Sequence, residues 1–522
     1  MQYKIKQFAS IALFVTLFIA KTVETNAQSS EKNAIVTDPV EVAKLRAAVE
    51  ANPNDLTAHQ EYIKAADITG PEFEKRYENW MKQFPKTATI PFAIGEVYWK
   101  KELPKAKPYL LKAVELDPTL AKVYYYLWID AERWGDFAGG REYLAKAIKA
   151  DPANADYAFY YASSFKIVDL EKYRTMSLDV AKRFPTSERG AQALYWLGYR
   201  FTDPEIRIGF YEQLRNNFSP DKFSWSSSGM SGYFDLLLEV APEKAVALAQ
   251  SMTQTMNKEE QKTTWANQEI VARNIVRAKE LLAQNKAEEA VTLLSTTRVS
   301  RWSNAKTTLA LLKSKAFDAA GKTAVAYDSL KIYFAKEPEK EIGNALKNYG
   351  VKLGKNSDQI EADIWYVRDT MSKVATPFTL KRYLTPGSAS LSDFQGKVVL
   401  LTYWFPGCGP CRGEFPHFEN VIRKFKGKNV EYIGINIFQD QNDYVIPFMK
   451  TSGYSFTPLE DFPDRKKGTL DNRRAAPVNF LIDQKGRIMF SNFRTNEHNE
   501  DVLESMIASL LNRKANTNEI YC

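Results

Sequence analysis

With 522 residues the chain is long enough for more than one hydrophobic core, and 44% apolar with 26% charged residues is an ordinary globular composition. We therefore expect two or three domains. The net charge of +8 comes from 71 basic and 63 acidic residues scattered along the chain, without a lysine and arginine block that could follow a phosphate backbone. The charge pattern argues against nucleic-acid binding.

The first 27 residues have the pattern of a secretory signal peptide. Two lysines, Lys4 and Lys6, precede an uncharged apolar run from Phe8 to Ala20, and a polar stretch with small residues follows it to Ala27. The apolar run has 13 residues, fewer than the ~20 that a helix needs to cross a bilayer. No cysteine stands near the cleavage region to carry a lipid anchor. We expect residues 1–27 to direct export to the periplasm or cell envelope, and residues 28–39 to form a linker.

Residues 40–355 show helical periodicity with turn signals at nearly constant spacing. Prolines recur at intervals of 32, 33, 34 and 33 residues, at Pro53, Pro85, Pro118, Pro152 and Pro185. A fixed period near 34 residues is typical of helix-turn-helix repeats. Two segments place small, large and small residues at matching offsets: Ala106, Leu110 and Ala113 in one, Gly140, Leu144 and Ala147 in the other.

These segments, "AKPYLLKAVELDP" and "GREYLAKAIKADP", resemble tetratricopeptide repeats, as does "IGEVYW" at residues 94–99. Other units depart from the pattern, with Phe73 where a small residue is expected. We expect a less regular insertion near residues 216–232, after which the helices resume. The resemblance implies a solenoid with a concave surface that holds a peptide or protein partner. The alternative, that the helices only space the next domain, stays open.

After a linker expected over residues 356–374, short β-rich runs alternate with helical ones. The predicted strands are "KVVLLTYWF", "VEYIGINIF", "VNFLID" and "RIMFSNF", and the predicted helices cover residues 408–425 and 500–513. The last two strands form a hairpin that turns at residues 483–486. We therefore predict a multidomain chain, with an all-α repeat region followed by an α/β domain over residues 375–514 and a tail over 515–522.

Two of the chain's three cysteines lie where the first buried strand ends and a helix begins. Unpaired N–H groups and the helix dipole would stabilise a thiolate at Cys408 and lower its pKa. One turn later, Cys411 is placed to attack a mixed disulfide on Cys408. Gly409 lets a partner's backbone approach, and Pro410 lacks the N–H that the first turn would leave unpaired. A bridge across four residues restrains little chain entropy, so reactivity explains the pair better than stability does.

Residues 375–514 resemble the thioredoxin superfamily, and most closely its exported thiol-disulfide oxidoreductases of the TlpA/ResA type. The motifs "TPFTL", "LSDFQGKVVLL", "CGPCRGEFP", "GINIF" and "APVNFLIDQKGRI" occur in the order of that group. The resemblance implies a redox disulfide in which Cys408 attacks and Cys411 resolves. It also implies a cis bond before Pro477, with Ala476 offering backbone groups to the substrate. We expect no cofactor and no metal ion.

Two positions of this site depart from the usual pattern of the superfamily, and two more carry ionisable side chains near the pair. Thr402 stands where thioredoxin has a buried aspartate, and Gly407 stands where tryptophan is usual, so the substrate preference is open. Glu414 lies three residues after Cys411 on the same helical face, where ResA-like proteins carry a glutamate. We expect Glu414 to tune or accept the Cys411 proton, the alternative being a solvated helix charge. His417 is expected to point away from the pair.

We predict an enzyme, a thiol-disulfide oxidoreductase acting mainly as a reductase, because Gly-Pro between the cysteines resembles reducing thioredoxins. Its partners would be protein disulfides or dithiols and an electron donor, and the potential sets the direction. One alternative is a scaffold with a vestigial redox domain. A thiol peroxidase is a weaker alternative, since Phe405 and Leu401 replace its signature residues. A structural zinc site is disfavoured, because it needs four ligands. Cys522 is expected to be a free thiol.

Overall fold

The computed structural model describes residues 38–68, 70–300, 303 and 305–513. The expected signal peptide, nearly all of the first linker, and the tail with Cys522 lie outside the described residues. Within these ranges, no helix combines the length and the apolar character needed to cross a membrane.

Nineteen helices precede the first strand in the part of the chain that the structure describes. They are α1 Pro39–Ala51, α2 Leu56–Ala65, α3 Pro71–Gln83, α4 Thr89–Lys100, α5 Ala106–Leu116, α6 Ala121–Arg133, α7 Phe137–Ala150, α8 Ala155–Ser163, α9 Leu170–Arg183, α10 Glu188–Arg200, α11 Pro204–Asn217, α12 Ser224–Val240, α13 Pro242–Thr255, α14 Glu259–Ala283, α15 Ala287–Thr296, α16 Lys306–Ala319, α17 Thr323–Lys336, α18 Lys340–Lys352 and α19 Ser357–Met371. This order confirms the all-α region; its tetratricopeptide character stays a prediction.

The helix boundaries follow from local chemistry. Asp55 and Asp203 cap the starts of α2 and α11, each accepting hydrogen bonds from backbone N–H groups of the first turn. Consecutive helices then pack on each other through small residues. A Cβ atom at Gly95 would lie 2.9 Å from Leu110 Cδ2, so α4 and α5 approach closely only because that position is glycine.

The expected irregular insertion over residues 216–232 is wrong. Only residues 218–223 separate α11 from α12, and the Ser- and Gly-rich stretch is helical. Its small residues serve close packing, because a Cβ atom at Gly229 would collide with Leu214 and one at Gly232 would lie 2.8 Å from the Tyr211 hydroxyl. The composition was typical of a loop, but its cause is a tight helix contact.

The linker expected over residues 356–374 is also wrong, because α19 occupies most of it. Asn356 and Gln359 form a capping box at its start, each side chain bonding the other's backbone N–H. Trp365 on this helix packs into a core shared with the C-terminal domain. Arg368 Nε donates to Ala335 O at 3.2 Å on the repeat side. The segment is therefore a packed joint between the two regions.

The C-terminal domain is one eight-stranded sheet with three helices. Its strands are β1 Lys373–Val374, β2 Thr379–Arg382, β3 Ser388–Ser390, β4 Val398–Trp404, β5 Val430–Asn436, β6 Thr457–Glu460, β7 Val478–Ile482 and β8 Arg487–Ser491, and its helices are α20 Gly409–Lys424, α21 Asn442–Ser452 and α22 Glu500–Leu511. The order is β1-β8-β7-β4-β5-β6-β2-β3. Strands β4, β5 and β6 run parallel, while β7 pairs antiparallel with both β4 and β8. The predicted α/β domain and its final hairpin are confirmed.

Strand β4 is central and buried on both faces, as its continuous apolar sequence predicts. Leu400 and Trp404 join one core cluster with α20, α21 and α22, and Leu401 and Tyr403 join another on the opposite face. The two packed faces fix the end of β4, where the cysteine pair follows.

The helical region contacts the C-terminal domain directly. Tyr444 on α21 donates its hydroxyl to Asp130 Oδ1 on α6 at 2.9 Å, and both residues are fully buried. Trp134 packs edge-on against Tyr444 with ring centroids 6.0 Å apart. Arg200 on α10 forms an ion pair with Glu497 at 3.2 Å. The helical region therefore packs against α21 and the segment that precedes α22.

Candidate active site

Cys408 and Cys411 form a disulfide at the start of α20. Their Cα atoms are 5.3 Å apart, and Cys408 is the N-cap residue, whose Sγ accepts a hydrogen bond from the Cys411 N–H at 3.2 Å. Both sulfurs belong to buried residues, whereas Gly409 and Pro410 between them are exposed. The pair is therefore approachable from the Gly-Pro side of the helix start.

An aromatic cluster anchors the strand that leads into the pair. Trp404, the last residue of β4, is fully buried and packs against Phe415, Phe448 and Phe456 at centroid distances of 4.9–5.6 Å. Phe415 belongs to α20, so the same cluster fixes the strand end and the helix on either side of the cysteines.

Pro477 directly precedes strand β7 and lies near the end of strand β4. Val478 pairs with Tyr403 on β4, so the residue before it lies next to the end of that strand. The Ala476–Pro477 peptide bond is cis, the geometry that the resemblance implied. Ala476 packs against the core cluster that contains both cysteines, and Pro477 is buried.

Glu414 is a buried carboxylate and not a solvated helix charge, with 6% of its surface exposed. It accepts hydrogen bonds from the Thr495 N–H at 2.9 Å, from Asn479 Nδ2 at 3.1 and 3.2 Å, and from Arg494 Nη1 at 3.3 Å. Burial raises the pKa of Glu414, and the charge of Arg494 opposes this only in part. A buried carboxyl group with a raised pKa, one turn from Cys411, is a candidate for proton exchange with that thiol.

Two polar residues, Thr402 and Asn479, lie near Glu414 where thioredoxin has a buried aspartate. Thr402 pairs with Asn479 across β4 and β7, and both are fully buried. Thr402 Oγ1 has no hydrogen-bond partner among the described residues, so it does not substitute for a carboxylate. Asn479, which the sequence reasoning missed, reaches Glu414 instead. The signal was an asparagine inside an otherwise apolar strand.

His417 lies away from the cysteines, as expected. It is buried against α22, with its Nδ1 2.6 Å from Glu500 Oε1 and its Nε2 3.5 Å from Glu497 Oε2. Within the described residues, no group of three or more His, Cys, Asp or Glu side chains is arranged to hold a metal ion.

The space beside position 407 is filled by the side chain of Gln441. A Cβ atom on Gly407 would lie 2.6 Å from Gln441 Nε2 and 2.9 Å from Gln441 Oε1. Gln441 itself is 1% exposed and accepts a hydrogen bond from the Gly407 N–H at 2.5 Å. The side chain of Gln441 therefore occupies the space that a larger residue at 407 would need.

Known thiol-disulfide oxidoreductases are similar in sequence to this chain. A family model described as Redoxin matches residues 371–507. The thiol-disulfide oxidoreductase ResA of Geobacillus kaustophilus is 30% identical over 118 residues, which are 22% of this chain and 67% of the relative. ResA of Bacillus subtilis is 34% identical over 99 residues, 19% of this chain, and the chain spans about half of that relative, 54%.

Among solved structures, the thioredoxin domain of a thiol-disulfide oxidoreductase from Bacteroides vulgatus is 27% identical, with a TM-score of 0.24, and covers 27% of this chain and 96% of that one. The family model covers the part of the chain that carries the cysteine pair. The chain therefore belongs, through this C-terminal domain, to the ResA/TlpA group of thiol-disulfide oxidoreductases in the thioredoxin superfamily.

Proposed function

We propose that the protein is an exported reductase of protein disulfides that works through Cys408 and Cys411. The observation that carries the proposal is the position of the pair, with Cys408 as N-cap of α20 directly after the buried strand β4. The helix start favours the thiolate form of Cys408. The exposed Gly409 and Pro410 leave room for an extended substrate segment to approach.

The proposed cycle begins with both cysteines reduced. The Cys408 thiolate attacks one sulfur of a substrate disulfide, that bond breaks, and the released substrate thiolate takes a proton. The Cys411 thiolate then attacks Cys408 Sγ and displaces the second substrate thiolate. The substrate gains two electrons and the chain is left with the Cys408–Cys411 disulfide. An external dithiol donor must reduce this disulfide before the next cycle.

Glu414 is proposed to accept the proton that Cys411 loses in the second step. Its carboxylate lies on the same helical face as Cys411, and burial raises its pKa above the ordinary value, which favours proton uptake. Asn479 and the Thr495 N–H hold the carboxylate in place. The protonated acid can later return its proton to a leaving thiolate.

The helical region is proposed to position the redox domain, and export is proposed from the first 27 residues. The buried Asp130–Tyr444 bond and the Arg200–Glu497 ion pair favour a fixed contact over a loose tether. As a second role, we propose that the helical region recruits partners, which would bind to the surface formed by its packed helices.

The proposal is tested by trapping mixed disulfides. With Cys411 replaced by alanine, the attack of Cys408 on a substrate can no longer be resolved, so substrate proteins should stay attached. Cys408→Ala in the same background is the matched control and should trap nothing. Recovery of no attached proteins from the exporting host, with Cys408 still reactive to an alkylating reagent, would refute the proposed activity.

A further inference from the structure

The peptide group one residue before Cys408 is held at both of its polar atoms by side chains. This group joins Pro406 and Gly407. Arg412 Nη1 donates to Pro406 O at 2.6 Å, and the Gly407 N–H donates to Gln441 Oε1 at 2.5 Å. The plane of the peptide is therefore fixed from two opposite edges.

Both of these side chains are in turn held by carboxylates of the helical region. Gln441 Nε2 donates to Glu102 Oε2 at 2.6 Å, across 339 residues of sequence. Arg412 Nε lies 3.2 Å from Glu132 Oε2, in an ion pair whose two side chains are 17% and 20% exposed. Each arm thus runs from the repeats, through one side chain, to the same peptide.

The first arm is itself well fixed. Glu102 lies in the turn between α4 and α5 with φ of 56°, a left-handed conformation that a non-glycine residue adopts only when its surroundings hold it there. Its second oxygen, Oε1, accepts from Arg133 Nη2 at 2.5 Å. The Glu102 carboxylate is therefore held from the helical region by Arg133 while its other oxygen accepts from Gln441.

The sequence at position 407 agrees with this arrangement. A side chain there would displace Gln441, since the nearest atoms of Gln441 are 2.6–3.2 Å from where a Cβ would be. Glycine at position 407, where tryptophan is usual in this superfamily, therefore leaves room for Gln441 to bond Glu102.

We propose that Glu102 and Glu132 are positioning residues for thiol exchange at Cys408. They act through Gln441 and Arg412 to fix the peptide that orients the attacking sulfur, so the helical region completes the active site of the redox domain. The inference rests on the proposed function for its chemical meaning. Its geometry can be tested without any activity.

The test is amide hydrogen exchange, followed by mass spectrometry, of a peptide spanning residues 403–411 in the oxidised full chain. Glu102→Ala removes the acceptor for Gln441 and should speed exchange at the Gly407 amide about fivefold, the scale of one net hydrogen bond. Glu102→Gln keeps an acceptor oxygen and should restore most of the protection. In the reduced chain, the rate at which Cys408 reacts with a small aromatic disulfide should differ most from wild type in Glu102→Ala and much less in Glu102→Gln.

The matched control is Asp369→Asn. Asp369 is a carboxylate at another contact between the regions, paired with Arg487 at 3.2 Å and Arg513 at 2.6 Å, and it makes no bond to residues 405–411. It should leave the exchange of that peptide unchanged. If Glu102→Ala does not fold, Glu102→Asp shortens the side chain, withdraws the acceptor from Gln441 and should give the same acceleration, while Gln441 stays in place as the acceptor for Gly407.

The inference would be overturned if the 403–411 peptide exchanged equally fast in Asp369→Asn and in Glu102→Ala, or in Glu102→Asp where the alanine variant does not fold. Because exchange is read on the oxidised chain, this outcome is distinct from a failure of the disulfide-reductase proposal. A chain that traps no substrate could still show the predicted protection at Gly407.

Discussion

Replacing Glu414 separates its structural role from its role in proton transfer. In Glu414→Ala the buried Thr495 N–H loses its acceptor, which costs about 1–3 kcal/mol, and the lost packing adds about 1 kcal/mol. Asn479 Nδ2 keeps a second acceptor, Phe493 O at 2.9 Å, so it adds little. We expect the free energy of unfolding to fall by about 2–4 kcal/mol.

Glu414→Gln keeps the volume and one acceptor oxygen for Thr495. It gives up the ion pair with Arg494, whose side chain is 55% exposed, so we expect a loss of only about 1 kcal/mol. Because burial raises the pKa of Glu414, its contribution to stability is complete below the ordinary value of 4.5 and declines as pH rises through the raised folded value. The glutamine variant should lack this decline.

Two assays read these effects. Urea unfolding at a series of pH values between 4 and 8 gives the stability difference between each variant and the wild type. Single-turnover release of substrate from a mixed disulfide on Cys408 gives the resolving rate, which should fall on the order of 10²-fold in Glu414→Gln at neutral pH, at the lower end of general-base effects. A glutamine variant with the wild-type pH profile in both assays would refute the reasoning.

Two further changes test packing and electrostatics away from the pair. Burial raises the pKa of Asp130 from 3.8 to about 6, so the stability that this group contributes is lost as pH rises through that value. Asp130→Asn keeps the bond to Tyr444 but does not titrate. In thermal melts, its stability relative to wild type should therefore rise by roughly 3 kcal/mol between pH 3 and pH 8. An unchanged difference across that range would contradict the assignment. Gly229→Ala should cost about 1–3 kcal/mol by overpacking against Leu214, whereas Gly209→Ala, which meets nothing within 4 Å in a helix, should stabilise by about 0.5–1 kcal/mol in urea unfolding. Equal effects of the two glycine changes would show that the close packing of α11 and α12 is wrong.

The parts of the site that could be predicted are those whose signal is local in the chain. An apolar strand followed by a cysteine, glycine and proline fixes both the helix start and the place of Cys408, because strand burial and first-turn chemistry act over a few residues. The hairpin at residues 483–486 and the place of Glu414 on the face of Cys411 follow from the same short-range rules.

The contacts that complete the site were not predictable, because they join residues far apart in sequence. Asn479 meets Glu414 across 65 residues, and Glu102 meets Gln441 across 339. No periodicity marks such pairs. The two misassigned segments failed for different reasons. In residues 224–232, serine and glycine residues that serve helix packing have the composition of a loop. Residues 357–371 have no such composition, and their apolar residues at helical spacing, such as Ile360 and Ile364, were a missed helix signal.

The most direct measurement of the central claim is the reduction of insulin by the full chain, with dithiothreitol as the electron donor. We expect the wild type to accelerate the reaction, Cys408→Ala to abolish the acceleration, and Asp369→Asn to leave it unchanged. If the wild type reduces insulin no faster than Cys408→Ala, Cys408 and Cys411 do not form a working thiol-disulfide site.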